Sequence, residues 1–105
     1  MYSYTVRCKF ESPDRLDVAQ RWLEWLKSEH IRDVITAGAD GAEIFRMDGS
    51  VGEVIYEIRY RFANRVAFEN YEANHAPRLR EEGLSRFPLE LGLSYERTTG
   101  ESVSF

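Results

Sequence analysis

The sequence is poor in cysteine, proline and histidine: of 105 residues one is cysteine, three are proline and two are histidine. A lone Cys8 cannot close a disulfide within the chain and fits a reducing compartment, so a cytoplasmic location is the default expectation. Cys8 lies on the apolar side of a strand pattern and reads as a small buried hydrophobe, not a reactive thiol. No apolar run approaches the length that crosses a bilayer, and residues 1–10 alternate polar with apolar instead of forming a signal-peptide core, so no membrane partner is expected. Positive charge is not in excess either. Fourteen Lys and Arg against eighteen Asp and Glu leave −4, and the bases are interleaved with acids, as in Glu57-Ile58-Arg59-Tyr60-Arg61. Phosphate binding needs a concentrated basic face, so a nucleic-acid partner is not expected. There is no glycine-rich phosphate loop, nucleophile elbow or zinc ribbon, which excludes those enzyme classes.

What is present is an ordinary globular mixture, 43% hydrophobic and 30% charged, with the aromatics inside periodic segments. Tyr2, Tyr4, Val6, Cys8 and Phe10 alternate with polar residues, a period of two that marks a strand with one buried face. Ser12-Pro13 supplies a cap and a first-turn proline, and a helix is expected from there to about Ala37, closed by Gly38, with a break near His30. Leu16, Ala19, Trp22, Leu23 and Leu26 form its sheet-facing stripe. A second strand is expected over residues 42–47, a turn at Asp48-Gly49-Ser50, and a third strand over residues 53–62. Asn64 can cap a second helix to about Asn74, interrupted by Pro77. Arg78 to Glu82 then make one more helical turn ended by Gly83, and Leu91, Leu93 and Tyr95 mark a fourth strand.

The predicted organisation is a single α+β domain over residues 1–97 and a loose polar C-terminal tail over residues 98–105. The order β-α-β-β-α-β is the ferredoxin-like arrangement, a four-stranded antiparallel sheet with strands 1 and 3 in the middle and two helices on one face. The other face would carry Thr5, Arg7, Lys9, Glu57, Arg59 and Glu96. Two such sheets closing face to face make a dimeric α/β barrel with a polar lumen, so a homodimer is expected.

Candidate site residues follow from that layout. His30 and His75, each expected on the sheet-facing stripe at a helix end, have Asp33 and Glu72 on the same side, and a histidine beside a carboxylate can act as an acid or base near neutral pH. The plain alternative is that each imidazole caps its helix. Metal binding would need both histidines to converge with carboxylates such as Asp33, Glu29 or Glu72, and the spacing matches no standard site, so neither a metal nor a cofactor is expected. Trp22 is expected in the core, with Trp25 on the flank as a pocket wall. Arg7, Glu57 and Arg59 are candidates for a polar ligand-binding wall, and Arg78 and Arg80, just after Pro77, for holding an anion, the plain alternative being a solvated face with Glu81 and Glu82.

Two segments carry a family resemblance: Trp22-Leu23-Glu24-Trp25-Leu26-Lys27-Ser28-Glu29-His30-Ile31-Arg32-Asp33-Val34 and Tyr71-Glu72-Ala73-Asn74-His75-Ala76-Pro77-Arg78-Leu79-Arg80. With the opening Tyr4-Thr5-Val6, they resemble a small family of bacterial proteins known as a domain of unknown function, which shares the tryptophan pair and the Glu-His-Ile and His-Ala-Pro-x-Leu-Arg elements. That family looks like part of the dimeric α/β-barrel superfamily, whose branches include cofactor-free monooxygenases, haem-degrading enzymes and muconolactone-isomerase-like proteins. The resemblance implies a homodimer and a pocket between sheet and helices, but no particular activity. The expected function is small-molecule binding in that pocket, by a protein that could be a cofactor-independent enzyme. The competing expectation is a structural or interaction module whose histidines are helix caps.

Overall fold

The computed structural model describes residues 1–11, 16–49 and 51–105. Four antiparallel strands form one sheet: β1 (Tyr2–Phe10), β2 (Gly41–Arg46), β3 (Val54–Phe62) and β4 (Leu93–Glu101), in the order β2-β3-β1-β4. The strict alternation of β1 and β3 sets their register, with Tyr4 opposite Tyr60 and Cys8 opposite Tyr56. This places Tyr4, Cys8, Phe10, Tyr56, Ile58, Tyr60 and the other apolar members on one buried face. The opposite face carries Thr5, Arg7, Lys9, Glu57 and Arg59, each half-buried.

Helices cover the apolar face. α1 (Leu16–Trp25) continues through a π-helical turn (Leu26–His30) into α2 (Ile31–Thr36), and Gly38 at φ 136° follows the helix end. The expected break near His30 is therefore a widened turn inside an unbroken helical run. Ala19, Trp22 and Leu26 are buried as the stripe requires, and Val34 is fully buried. The cap expected at Ser12-Pro13, and Ser50 of the expected turn, lie outside the described residues.

α3 (Arg65–Asn74) starts where Asn64 accepts a hydrogen bond from the Ala67 amide at 2.8 Å. At His75 the backbone leaves helical geometry (φ −128°), and α4 (Ala76–Arg86) begins with Pro77 in its first turn, where a missing amide costs nothing. The second helical segment is thus two helices, not a helix and a single turn. Gly83 does not end α4 but lies buried within it. A Cβ on Gly83 would come to 3.2 Å from Trp25 Cη2, so the glycine gives the indole its room.

A short 3₁₀ turn (Leu89–Leu91) leads into β4, which begins at Leu93 and not at Leu91. β4 pairs with β1 along its whole length, ending with Thr98 opposite Thr5 and Glu101 opposite Tyr2. Residues 98–101, expected in the loose tail, are part of the sheet.

Candidate functional site

A cavity opens between the apolar face of the sheet and the helices. Its floor is Tyr4, Val6, Ile58 and Tyr60, and its helical walls include Trp22, Trp25, His30 and Tyr71. Tyr95 and Arg97 close it from β4, while Arg80 and Leu84 stand on the α4 side. The space open to the centres of water molecules is about 40 Å³. One water needs roughly 10–15 Å³ by that measure, so the cavity is on the scale of a few waters or one small ring.

His30 reaches this cavity because of the π turn. Its ring lies on that of Trp25, with centroids 4.6 Å apart and planes 26° from parallel, and Trp25 in turn leans on Phe87 at 5.7 Å. Burial drives the imidazole pKa down from 6.5 to about 4, against the pull of Asp33 and with a smaller push from Arg97. The ring is therefore neutral at physiological pH. It makes no side-chain hydrogen bond among the described residues, and its position inside a continuous helix leaves no free carbonyl for it to cap.

The phenols divide into bonded and unbonded. Tyr95 Oη accepts from Trp22 Nε1 at 3.0 Å, and Tyr4 Oη accepts from Arg80 Nη2 at 3.1 Å. Tyr60 and Tyr71 have no side-chain hydrogen bond among the described residues, and burial pushes both pKa values up, so both hydroxyls remain donors. Arg80 meets Glu72 through two contacts, Nη1 at 2.8 Å and Nη2 at 3.0 Å, yet its buried Nε has no partner among the described residues. Glu72 is thus engaged by Arg80, away from either histidine.

The remaining candidates fall elsewhere. His75 lies in a separate open groove with Asp33, Arg78 and Glu82, its Nδ1 3.5 Å from Arg78 Nη2, and its side chain makes no cap hydrogen bond. The two histidines do not share a cavity. Arg7, Glu57 and Arg59 are on the far side of the sheet, where Glu57 meets Arg59 at 2.9 Å and Arg7 at 3.8 Å, and Arg59 covers the Phe45 ring at 4.0 Å. The sheet separates that cluster from His30 and Trp25. Among the described residues no group of three or more His, Cys, Asp or Glu side chains is placed to hold a metal ion.

Of the two arginines that the sequence offers for an anion, Arg80 lines this cavity and Arg78 does not, whereas Tyr60, Tyr71 and Arg97 were not singled out from the sequence as site residues. The one usable signal was Arg97, since the period that turns Leu93 and Tyr95 inward also turns Arg97 inward.

A family model described as Domain of unknown function (DUF4286) matches residues 1–96. The chain belongs to that family. No curated protein sequence matches this DUF4286 chain. Among solved structures it is similar to a dimeric ferredoxin-like protein from an uncultured marine organism, at 13% identity and TM-score 0.69 over 99% of this chain and 96% of that one. It is also similar to an ethyl tert-butyl ether D family protein from Bacillus halodurans, at 14% identity and TM-score 0.63 over 96% and 99% of the two chains. HapK from Hahella chejuensis matches at 14% identity and TM-score 0.60 over 100% and 95%. At such identities the likeness establishes the fold, a four-stranded antiparallel sheet with helices of the ferredoxin-like kind. No helix among the described residues is long and apolar enough to cross a membrane.

Proposed function

We propose that this DUF4286 protein is a cytoplasmic homodimer, closing as a dimeric α/β barrel of ferredoxin-like halves, in which each subunit binds a small molecule between sheet and helices. The observation that carries the binding claim is the polar equipment of an otherwise aromatic cavity. The Arg80 Nε is buried with no partner among the described residues, although buried polar groups are normally paired, and the His30 ring and the Tyr60 and Tyr71 hydroxyls on the same lining make no side-chain hydrogen bond among those residues. A ligand with one or two oxygen atoms satisfies them. His30 and Trp25 are its proposed contacts.

The role is binding before catalysis. An imidazole titrating at about 4 is a hydrogen-bond acceptor at neutral pH but a weak base, far from the matching pKa that efficient general-base chemistry uses. Chemistry in this pocket would run without a cofactor and would need a substrate proton that is already acidic. His75, Asp33 and Arg78 form a second, open groove whose role is subsidiary to the cavity.

Dimerisation is supported by the dimeric ferredoxin-like relatives and by the half-buried charged face of the sheet, on which Arg7 Nε is buried without a hydrogen-bond partner among the described residues. Arg7, Glu57 and Arg59 then line the lumen between the two copies. Light scattering during size exclusion is expected to give about twice 12.3 kDa; a monomer at micromolar concentration removes the barrel. For the pocket, a thermal-shift screen of small oxygenated aromatics tests the claim, since a ligand at 100 times its Kd adds about 2.7 kcal/mol to the native state. Binding should weaken in His30→Ala and Trp25→Ala and survive in His75→Ala. Equal loss in all three variants would place the ligand elsewhere.

A further inference from the structure

Resting on the pocket assigned above, we infer that its ligand is a small planar aromatic anion, a carboxylate or phenolate, whose acid group is anchored by Arg97 with Arg80 beside it. Arg97 stands on the inward face of β4, opposite Val6 of β1, at a strand position otherwise given to Leu93 and Tyr95. Its guanidinium lies 5.1 Å from the centre of the Tyr95 ring and lines the cavity. Arg97 is exposed, so water solvates it at the mouth of the cavity, and no carboxylate among the described residues neutralises its charge there. Arg97 makes no ion pair among the described residues, and neither do Arg32, Arg46 and Arg78, but of these four only Arg97 lines the cavity.

Charge accounting around the cavity selects the sign of the ligand. No Asp or Glu among the described residues lines it. Arg80 is offset by Glu72, His30 is neutral, and Arg97 is left over, so the lining carries one uncompensated positive charge. A cation entering here would meet the like charge of Arg97 at the mouth, a neutral ring would gain nothing from it, and a mono-anion would be attracted to it. The Arg80 Nε, buried with no acceptor among the described residues, is a second donor within the same wall. A planar fork of donors matches the two oxygens of a carboxylate. Trp25 and the Tyr4–Tyr60 pair, whose rings stack at 5.8 Å, give the lining aromatic faces against which a single aromatic ring can pack.

The test titrates the full chain with benzoate and salicylate, with neutral benzamide and benzyl alcohol, and with benzylamine, following tryptophan fluorescence because Trp22 and Trp25 line the cavity. Benzoate is expected to bind at least tenfold more tightly than benzamide, with benzylamine weakest. In Arg97→Gln the benzoate preference should vanish, in Arg97→Lys part of it should remain, and in Arg61→Gln, on the outer face, it should be unchanged. Circular dichroism confirms that each variant is folded. Neutral aromatics binding as well as benzoate, or a preference that survives in Arg97→Gln, overturns the anion assignment while the pocket stands. Failure of every compound, charged and neutral, overturns the pocket and this inference with it.

Discussion

The imidazole of His30 lies on the indole of Trp25, with ring centroids 4.6 Å apart, although the two residues are five positions apart in the chain. In a regular α-helix residues five apart point about 140° away from each other, because each residue turns the helix by about 100°. The π turn over Leu26–His30 removes that offset by placing one extra residue in the turn, which brings each residue near the one five positions before it. The same extra residue re-phases the rest of the helix. Counting from Trp22 at about 100° per residue, Val34 would sit about 120° off the buried stripe; with one residue absorbed it returns to within about 20°, and it is fully buried. One local widening thus makes the pocket wall and keeps the helix on the sheet.

The two tryptophans should separate in their effects. Trp22 is 2% exposed and donates to Tyr95, so Trp22→Ala should cost roughly 3–5 kcal/mol. Trp25 is only half-buried, and Trp25→Ala should cost clearly less while moving the His30 pKa back toward 6.5 as the ring is uncovered. Urea midpoints and a proton-NMR titration of His30 read the two effects. Equal midpoints, with His30 unmoved, would contradict the assigned packing.

Gly83 gives a coupling test. Glycine to alanine within a helix normally gains about 1 kcal/mol. Here the new Cβ would press on Trp25 at 3.2 Å, so Gly83→Ala should show no gain in the wild-type background and should recover it in the Trp25→Ala background. Additive effects in the double-mutant cycle would mean that the indole yields freely and that the glycine is not there for it.

The strands were legible because a period of two survives in the sequence without help from tertiary structure: β1 and β3 alternate almost perfectly, and their central placement follows. The helical phase was not. A fixed turn of about 100° per residue has no place for a π turn, so His30 read as a helix end and its contact with Trp25 could not be seen. Residues 98–101 read as tail because Thr, Gly and Glu are polar, yet they pair with Tyr2–Thr5 of β1 as the exposed edge strand of the sheet. Gly83 read as a terminator by propensity, and only the indole across the helix interface explains a buried glycine inside α4. The pocket residues were legible where a histidine or tryptophan advertised itself. Tyr60 and Tyr71, indistinguishable in sequence from core aromatics, were not.

Cys8 should be inert in the native protein. It is fully buried, and burial pushes its thiol up to about 12, so almost no thiolate exists at neutral pH. A thiol-reactive disulfide reagent at pH 8 is expected to leave the native chain untouched over hours and to label it fully in strong denaturant. Rapid native labelling would show that β1 and β4 separate readily beside this residue.

The titration of His30 gives the pH dependence, and its sign follows from the direction of the shift. The folded ring holds its proton only below about 4, whereas the unfolded chain takes one up near 6.5. Between those values the unfolded state binds more protons, so this residue's contribution is complete above pH 6.5, is lost as pH falls, and levels off below about 4. A depression of that size corresponds to roughly 3 kcal/mol, since one pKa unit is about 1.4 kcal/mol. Carboxylates also titrate in this window, so the informative quantity is the stability difference between the wild type and His30→Gln, which share every carboxylate. That difference should shift in favour of the glutamine variant by a few kcal/mol between pH 6.5 and 4, measured by urea unfolding at each pH. If it stays flat, His30 titrates as it does in the unfolded chain, which is incompatible with a ring enclosed between Trp25 and the cavity.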